Sequence, residues 1–371
     1  MSKIDDLIKE LCPEGARFAR VGDKAVIGTG RSDRKDAVEN GQYPFYVRSK
    51  IVARIDKYSF DEEAIIIPGE GGVGDIFHYV NGKYDLHQRA YRIVFTTDEV
   101  NTKYALYYFM SYFKSFITLK AVNATVTSIR KPMIEDFRIP IPPLEVQKEI
   151  VRVLDSFTEL EAELEAELEA RKKQYEYYRN TLLTFNERER VEYVQIGDIC
   201  NISRGRVMSK SYLIDNAGDY PVYSSQTANN GVFGYINTYD YDKESITWTT
   251  DGANAGSVFY HNNEEFSITN VCGLLMPKRE QVKVKYLYYI LQITLKKYVN
   301  SGMGNPKLMS NTMAKIKIPV PSLEKQKQIV SILDKFEKLT NNISIGLPAE
   351  IEARRKQYEY YRNKLLTFKE A

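Results

Sequence analysis

The stretch GEGGVG, Gly69 to Gly74, has the G-x-G-x-x-G spacing with which a strand-to-helix turn cradles a dinucleotide pyrophosphate. It follows an apolar run, EEAIIIP, but DIFHYV behind it reads as strand, and no helix with a following acid is in place. The corresponding stretch of the second half, DGANAGSVF, lacks the spacing. A glycine-rich turn between two strands is therefore expected at Gly69–Gly74. Three scattered histidines, His78, His87 and His261, leave little for a Ser-His-Asp arrangement or a histidine-rich metal centre, and no metal site is predicted. There is no Walker loop, no PD dipeptide of a nuclease site and no NPPY or DPPY of an amino-methyltransferase. Glu324, between Lys325 and Lys327, reads as part of a solvated helix face.

The remaining chemistry is that of binding. GTGRSDRKD carries Arg31, Arg34 and Lys35, and YVRSK adds Arg48 and Lys50. In the second half ISRGRVMSK supplies Arg204, Arg206 and Lys210 at a similar place after a shared GD dipeptide. Two later loops, NATVTSIRKP and SGMGNPKLMSN, carry Thr125, Thr127, Arg130, Lys131, Asn305 and Lys307. Polar loops rich in Arg, Lys, Asn and Thr suit phosphate anchoring and base-edge reading. A single such cluster reads more readily as solvated surface than as a DNA contact, and recurrence at equivalent places in both halves brings the two readings level. Gln226 joins these candidates. So do Tyr46 and Tyr223, which sit in the matching YPFY and YPVY corners and could face a ligand.

These loops must be held by something, and the chain repeats itself. RKKQYEYYRNTLLTF from Arg171 and RRKQYEYYRNKLLTF from Arg354 differ only at Lys172/Arg355 and Thr181/Lys364. RIPIPPLEVQKEIVRVLDSF and KIPVPSLEKQKQIVSILDKF precede them. Each half thus reads as a variable domain followed by a nearly constant helical segment: 1–137 and 138–187, then 188–316 and 317–371. In the first constant segment Leu154, Phe157, Leu160, Leu164, Leu168, Tyr175, Tyr178 and Leu182 recur mostly at three- and four-residue steps, without Gly or Pro from Leu144 to Phe185. At ~1.5 Å per residue such a helix spans roughly 60 Å, and its narrow apolar stripe needs a partner helix. The second copy offers a similar seam in Leu333, Phe336, Leu339, Tyr358, Tyr361 and Leu365, broken by SIGLPAEIEA, where Gly346 suits a helix end and Pro348 a new first turn. The variable domains have short β runs with NG, DG and NNG turns and few helical patterns. The fold class is α+β: two globular domains with curled sheets, separated by two long antiparallel helices in a coiled coil, with an internal pseudo-two-fold repeat.

The bulk numbers permit this. The 371 residues are enough for two or three domains, and 43% hydrophobic with 27% charged residues is ordinary for a globular chain. The net charge of +3 does not by itself call for nucleic acid. Cys12, Cys200 and Cys272 are odd in number and far apart, which suits free thiols in a reducing cytoplasm. The start has acids where a signal peptide needs an apolar core, and no apolar run approaches membrane-spanning length. A cytoplasmic location without membrane contact is expected.

Two variable domains, each followed by IPxPxLxxQxxI…LD and a helix ending in RKQYEYYRNxLLTF, resemble the specificity subunit of a Type I restriction–modification enzyme. The resemblance covers nearly the whole chain and rests on the two constant segments. It implies a non-catalytic chain whose two target-recognition domains each read one half of a bipartite double-stranded DNA target. It implies two methyltransferase subunits docked on the paired helices, and restriction subunits joined through them. S-adenosylmethionine, ATP and Mg would then belong to those partners, with no cofactor on this chain. The LEAE tetrads would set the spacer, one added tetrad lengthening the helix by ~6 Å. The rival expectations are a two-headed coiled-coil adaptor for other proteins and a solitary DNA-binding regulator.

Overall fold

The computed structural model describes residues 2–120, 128–278, 281–300, 302, 304–341 and 345–371. The chain divides into two compact units, and neither is continuous in sequence. The first holds residues 1–165 and 350–371, the second residues 166–349.

In the first unit α1 (Ser2–Leu11) and β1 (Arg17–Arg20) precede β2 (Ala25–Thr29), β3 (Tyr43–Tyr46), β4 (Ala53–Ile55), β5 (Phe60–Pro68), β6 (His78–Leu86) and β7 (Ala90–Phe95). Then come α2 (Thr102–Lys120), the short α3 (Lys131–Glu135), β8 (Arg138–Ile141) and α4 (Leu144–Leu182), which runs on into the second unit. Strands β2 to β7 form one sheet in the order β2-β7-β5-β6-β3-β4, and β1 pairs with β8. The Gly69–Gly74 stretch is the turn between β5 and β6, as its sequence context predicts.

The second unit repeats the order: β9 (Glu192–Gln195), α5 (Ile196–Ile199), β10 (Cys200–Arg204), α6 (Lys210–Asp215), β11 (Tyr220–Tyr223), β12 (Val232–Ile236), β13 (Ser245–Thr249), β14 (Val258–His261), β15 (Ser267–Ile268), β16 (Cys272–Pro277), α7 (Val284–Thr294), α8 (Ser310–Lys315), β17 (Lys317–Val320) and α9 (Leu323–Asn341). The single nine-residue β6 of the first unit corresponds to β14 plus β15 here. The interposed NNEE, with Asn263 at φ 51°, breaks the strand and splits the sheet into β10-β16-β13-β14 and β12-β11-β15. α10 (Leu347–Leu366) follows, with Pro348 in its first turn, so the predicted interruption is present.

Each unit has its own core. In the first, α2 lays Tyr104, Phe109, Phe113 and Ile117 on the sheet residues Ile27, Ile65 and Ile93, and Ile150 and Leu154 of α4 close one side. Leu365 and Leu366, near the end of the chain, complete that core. In the second, Trp248 is fully buried among Ile246, Leu275, Leu287 and Leu291, and Tyr175, Leu183, Ile329 and Leu333 occupy the helix side. Each constant helical copy therefore donates its IPxP half to the domain before it and its QYEYYRN half to the other unit.

Buried glutamines pin the IPxP half. Gln147 Nε2 donates to Pro142 O (2.7 Å) and Glu99 O (2.7 Å), and its Oε1 accepts from Asn101 N (2.8 Å). Gln326 Nε2 donates to Pro321 O (2.8 Å) and Gln281 O (2.9 Å), and its Oε1 accepts from Lys283 N (2.8 Å). Both side chains are fully buried, so three of four amide bonds are made where water cannot substitute. The aspartates of the LD pair act similarly: Asp155 binds Lys103 and Tyr107, and Asp334 accepts from Tyr289.

Candidate nucleic-acid interface

The exposed cations of each unit stand on loops whose backbones are tightly held. Gly30 ends the first such loop's approach to the sheet: a Cβ there would lie 1.7 Å from Leu86 O. Ser32 N donates to Leu86 O and Gln88 N to Ser32 O, while Ser32 Oγ donates to the buried Asp85 carboxylate at 2.6 Å. Asp33 caps the following turn, accepting from Lys35 N and from the Gln88 amide. Arg31, Arg34 and Lys35 are thereby carried outward on a fixed loop, exposed and without ion-pair partners among the described residues.

Arg48 faces this loop and donates to Glu70 at 3.1 Å, and Arg89 reaches the same oxygen at 2.9 Å. Arg34, Arg48, Ser49, Glu70, Gly71 and His87 line a cavity of about 230 Å³. Arg89, Glu70 and His87 are the residues that sequence reasoning missed. They are single letters in unremarkable stretches, and only the Glu70 carboxylate bridging two arginines joins them. Lys50 is exposed beside Arg48. Arg130 caps α3 and is exposed, whereas Lys131 lies 3.5 Å from Glu135. Thr125 and Thr127 lie outside the described residues.

His87 is 4% exposed, and its Nδ1 accepts from Arg89 N at 2.9 Å, which requires that nitrogen to be unprotonated. Burial, then Arg48, push its pKa below the usual histidine value; Asp33 opposes, and Arg89 and Arg34 reinforce. A folded pKa below the unfolded one means the neutral ring stabilises the fold fully above about pH 6.5, and that contribution is lost as pH falls through the folded value. The protection factor of the Arg89 amide, its exchange rate relative to the unstructured rate at the same pH, should fall as pH drops below about 6.5. Substitution His87→Gln, whose Oε1 can still accept, should flatten that dependence; an unaltered profile would assign it elsewhere.

The second unit builds the same support from different letters. A Cβ on Gly205 would lie 1.8 Å from Ile268 O, and Thr269 N donates to Tyr223 O just as His87 N donates to Tyr46 O. Arg204 is half-buried, donating to Asn270 O and contacting Met309 Sδ. Arg206 is committed to Asp240 (3.2 Å) and Tyr212 OH (2.8 Å). Lys210 opens α6 and is exposed. Asn305 and Lys307, both exposed, line a cavity of about 220 Å³ with Asn300, Gly302 and Gly304.

Two sequence candidates need correction. Tyr46 and Tyr223 are each 7% exposed, packed edge-on against Tyr84 and Phe266, and Tyr223 OH is taken by Glu264. They are core residues of the corners, not ligand-facing rings. The Gln226 amide donates to Val232 O and so holds its own loop together.

On the helices, within the first unit, Phe157 stacks on Tyr361 (5.4 Å) and tilts against Tyr358, while Arg355 donates to Glu161 and Glu165. Ascending residues on α4 meet descending ones on α10, so these segments run antiparallel. Within the second unit Tyr175 and Tyr178 pack on Phe336. Leu154, Leu333 and Leu365 are buried; Leu160, Leu164, Leu168 and Leu182 are half-buried. Tyr178 and Leu339 stay over a third exposed, and the deepest leucine at the end of α4 is Leu183, one position beyond the predicted one.

Against known proteins, the family model described as "Type I restriction modification DNA specificity domain" matches twice, over residues 13–170 and 188–353. The chain belongs to that specificity-domain family. A type I restriction enzyme specificity subunit of Haemophilus influenzae is 31% identical over 369 residues, 92% of this chain and 93% of that one. A type I specificity subunit of Mycoplasma pneumoniae is 43% identical over 237 residues, 62% of this chain and 95% of its own length. The fold is shared with the crystal structure of a type I restriction–modification S subunit from M. genitalium, with a TM-score of 0.65 over 94% of this chain and 96% of that one at 18% identity. The two family matches fall one on each variable domain and its helix, so the specificity family's duplication is also the internal repeat seen here. Among the described residues no helix is long and apolar enough to cross a membrane, and no His, Cys, Asp or Glu group is placed to hold a metal ion.

Proposed function

We propose that this chain is the DNA-reading, non-catalytic subunit of a type I restriction–modification complex, each α+β domain reading one half of a bipartite target. One observation carries the reading. Both units place a Gly–Arg dipeptide, Gly30–Arg31 and Gly205–Arg206, against the carbonyl of the equivalent sheet residue, Leu86 and Ile268, beside further loops bearing cations. The support is duplicated while the letters on the loops differ, which suits two readers of different base sequences. Arg31, Arg34, Lys35, Arg48, Lys50 and Arg89 would supply phosphate and base-edge contacts in one half-site, and Arg204, Lys210, Asn305 and Lys307 in the other.

The paired helices would fix the spacer between half-sites, as rigidly spaced modules do in dimeric readers. Their solvent-facing letters are also repeated: Tyr177 and Tyr360, 65% and 63% exposed, occupy equivalent positions. Identical exposed residues suit two copies of one methyltransferase subunit docking on equivalent surfaces, with restriction subunits joining through them. S-adenosylmethionine, ATP and Mg would be held by those partners, in the cytoplasm, where three buried free thiols stay reduced.

The test is a genome-wide map of methylated bases in the source strain with and without this gene. Loss of one bipartite motif on deletion is the expected result and gives both half-sites and the spacer. An unchanged map, together with DNA binding that does not weaken with salt, would favour a protein-binding adaptor instead.

A further inference from the structure

The second unit holds a polar pocket lined by none of the residues assigned above to DNA reading. It has a volume of about 290 Å³ and lies between the distal part of α4, α7 and the β13–β14 turn. Two of its cations, Arg179 and Lys296, have no acidic partner among the described residues, although Arg179 is held in place over the Tyr175 ring at 5.3 Å. The one acid in the lining, Glu337, is already taken by Lys285 (2.9 Å), Tyr288 (3.2 Å) and Tyr289 (2.9 Å). Two polar atoms are buried there without a hydrogen bond: Arg179 Nε, a donor, and Gln292 Oε1, an acceptor. Each unmatched group costs free energy until something fills the site.

The first unit shows what is missing. Lys114 occupies on α2 the place that Lys296 occupies after α7, eleven residues beyond the matched Lys103 and Lys285 respectively. Lys114 makes two bonds, 2.7 and 2.9 Å, to Asp75 in the β5–β6 turn. The corresponding β13–β14 turn, DGANAGS, ends in Gly256 and Ser257 and has no acid there. The first unit supplies Lys114 with its own anion, while its Arg362 Nε, equivalent to Arg179 Nε, is likewise buried without a hydrogen bond; what sets the second unit apart is the unpaired Lys296 and the unmatched Gln292 Oε1.

We propose that this pocket of the second unit binds a phosphate that retains a P–OH, either inorganic phosphate or the monoanion of a phosphate monoester. Its anionic oxygens accept from Arg179 Nε and Lys296 Nζ, and its P–OH donates to Gln292 Oε1. A carboxylate or sulfate offers no donor at neutral pH, and a phosphodiester has lost its P–OH, so each leaves Gln292 Oε1 unmatched.

Calorimetric titration of the full chain at about pH 5.5, below the second pKa of a phosphate monoester at about 6, tests this with four probes: inorganic phosphate, methyl phosphate, dimethyl phosphate and sulfate. Phosphate or methyl phosphate should bind at one site per chain, and the tighter of the two names the source. Sulfate and dimethyl phosphate should bind about tenfold more weakly, the worth of one hydrogen bond to a charged group. Substitution Ser257→Asp should place an acid beside Lys296, abolish phosphate binding and raise the second unit's unfolding temperature. Substitution Gln292→Leu should erase the preference for phosphate over sulfate while leaving an anion site. No binding by the wild-type chain, equal binding of sulfate, two sites per chain, or full phosphate binding by the Ser257→Asp chain would each overturn the proposal.

Discussion

Replacing Leu365 and Leu366 by alanine is expected to unfold the first unit while the second stays folded. Both side chains are 1% exposed and lie in the core that contains Ile65, Ile93, Phe109 and Phe113, although they follow those residues by more than 250 positions in sequence. A buried Leu→Ala change costs ~2–5 kcal/mol, and two neighbours need not add. A combined loss on the order of 5 kcal/mol equals the whole stability of many domains. The backbone shows how closely the chain end is tied in: Ala16 N donates to Lys369 O at 2.9 Å and Ala371 N to Ala16 O at 3.1 Å, and Arg138 pairs with Glu370. Hydrogen exchange resolves the outcome. Protection should be lost in 60–68 and 90–95 and kept in 245–249 and 272–277. Replacing both Leu182 and Leu183 by alanine, the matching pair at the end of α4, should reverse the pattern. Loss of protection throughout, or nowhere, would mean that the units do not fold with the helix ends assigned to them.

This crossing-over of helix ends is what the sequence did not disclose. Internal identity exposed the repeat, and three- and four-residue periodicity exposed the helices, because both are local signals. The stripe residues Leu154, Phe157, Tyr175 and Phe336 are where the period places them. Which domain a helix half closes upon is a long-range matter, and identical QYEYYRN segments carry no label for their destination. The loops were half legible. Arg31 and Arg34 stand out in a basic cluster, but Arg89 is an isolated letter whose meaning comes from Glu70, nineteen positions earlier and 2.9 Å away. Tyr46 and Tyr223 misled because a tyrosine in a turn-flanked corner reads alike whether its ring faces out or, as here, is packed on Tyr84 or Phe266. Burial of an amphipathic ring depends on what the sheet brings opposite it, and that is not written nearby.

The Gly–Arg dipeptides offer the sharper functional test. Gly30 and Gly205 do not need a left-handed backbone; they need the absence of a Cβ, since one would fall 1.7 Å from Leu86 O and 1.8 Å from Ile268 O. Those oxygens belong to the sheet backbone and cannot swing aside, so alanine must push the loop outward or strain the strand, at a cost on the order of 3 kcal/mol. Gly30→Ala would move Arg31 and break the Ser32 N to Leu86 O bond that holds Arg34 and Lys35 in place. Gly205→Ala would displace Arg206 from Asp240 and Tyr212. If the two units read the two halves of one target, either substitution alone should abolish methylation at the complete bipartite site, since neither half-site suffices. Each variant should nevertheless lower the unfolding temperature of its own unit only, and bind an oligonucleotide bearing the other half-site as tightly as the unaltered chain. A Gly30→Ala chain that methylates the full motif at the normal rate would place the DNA contacts of the first unit on a different loop.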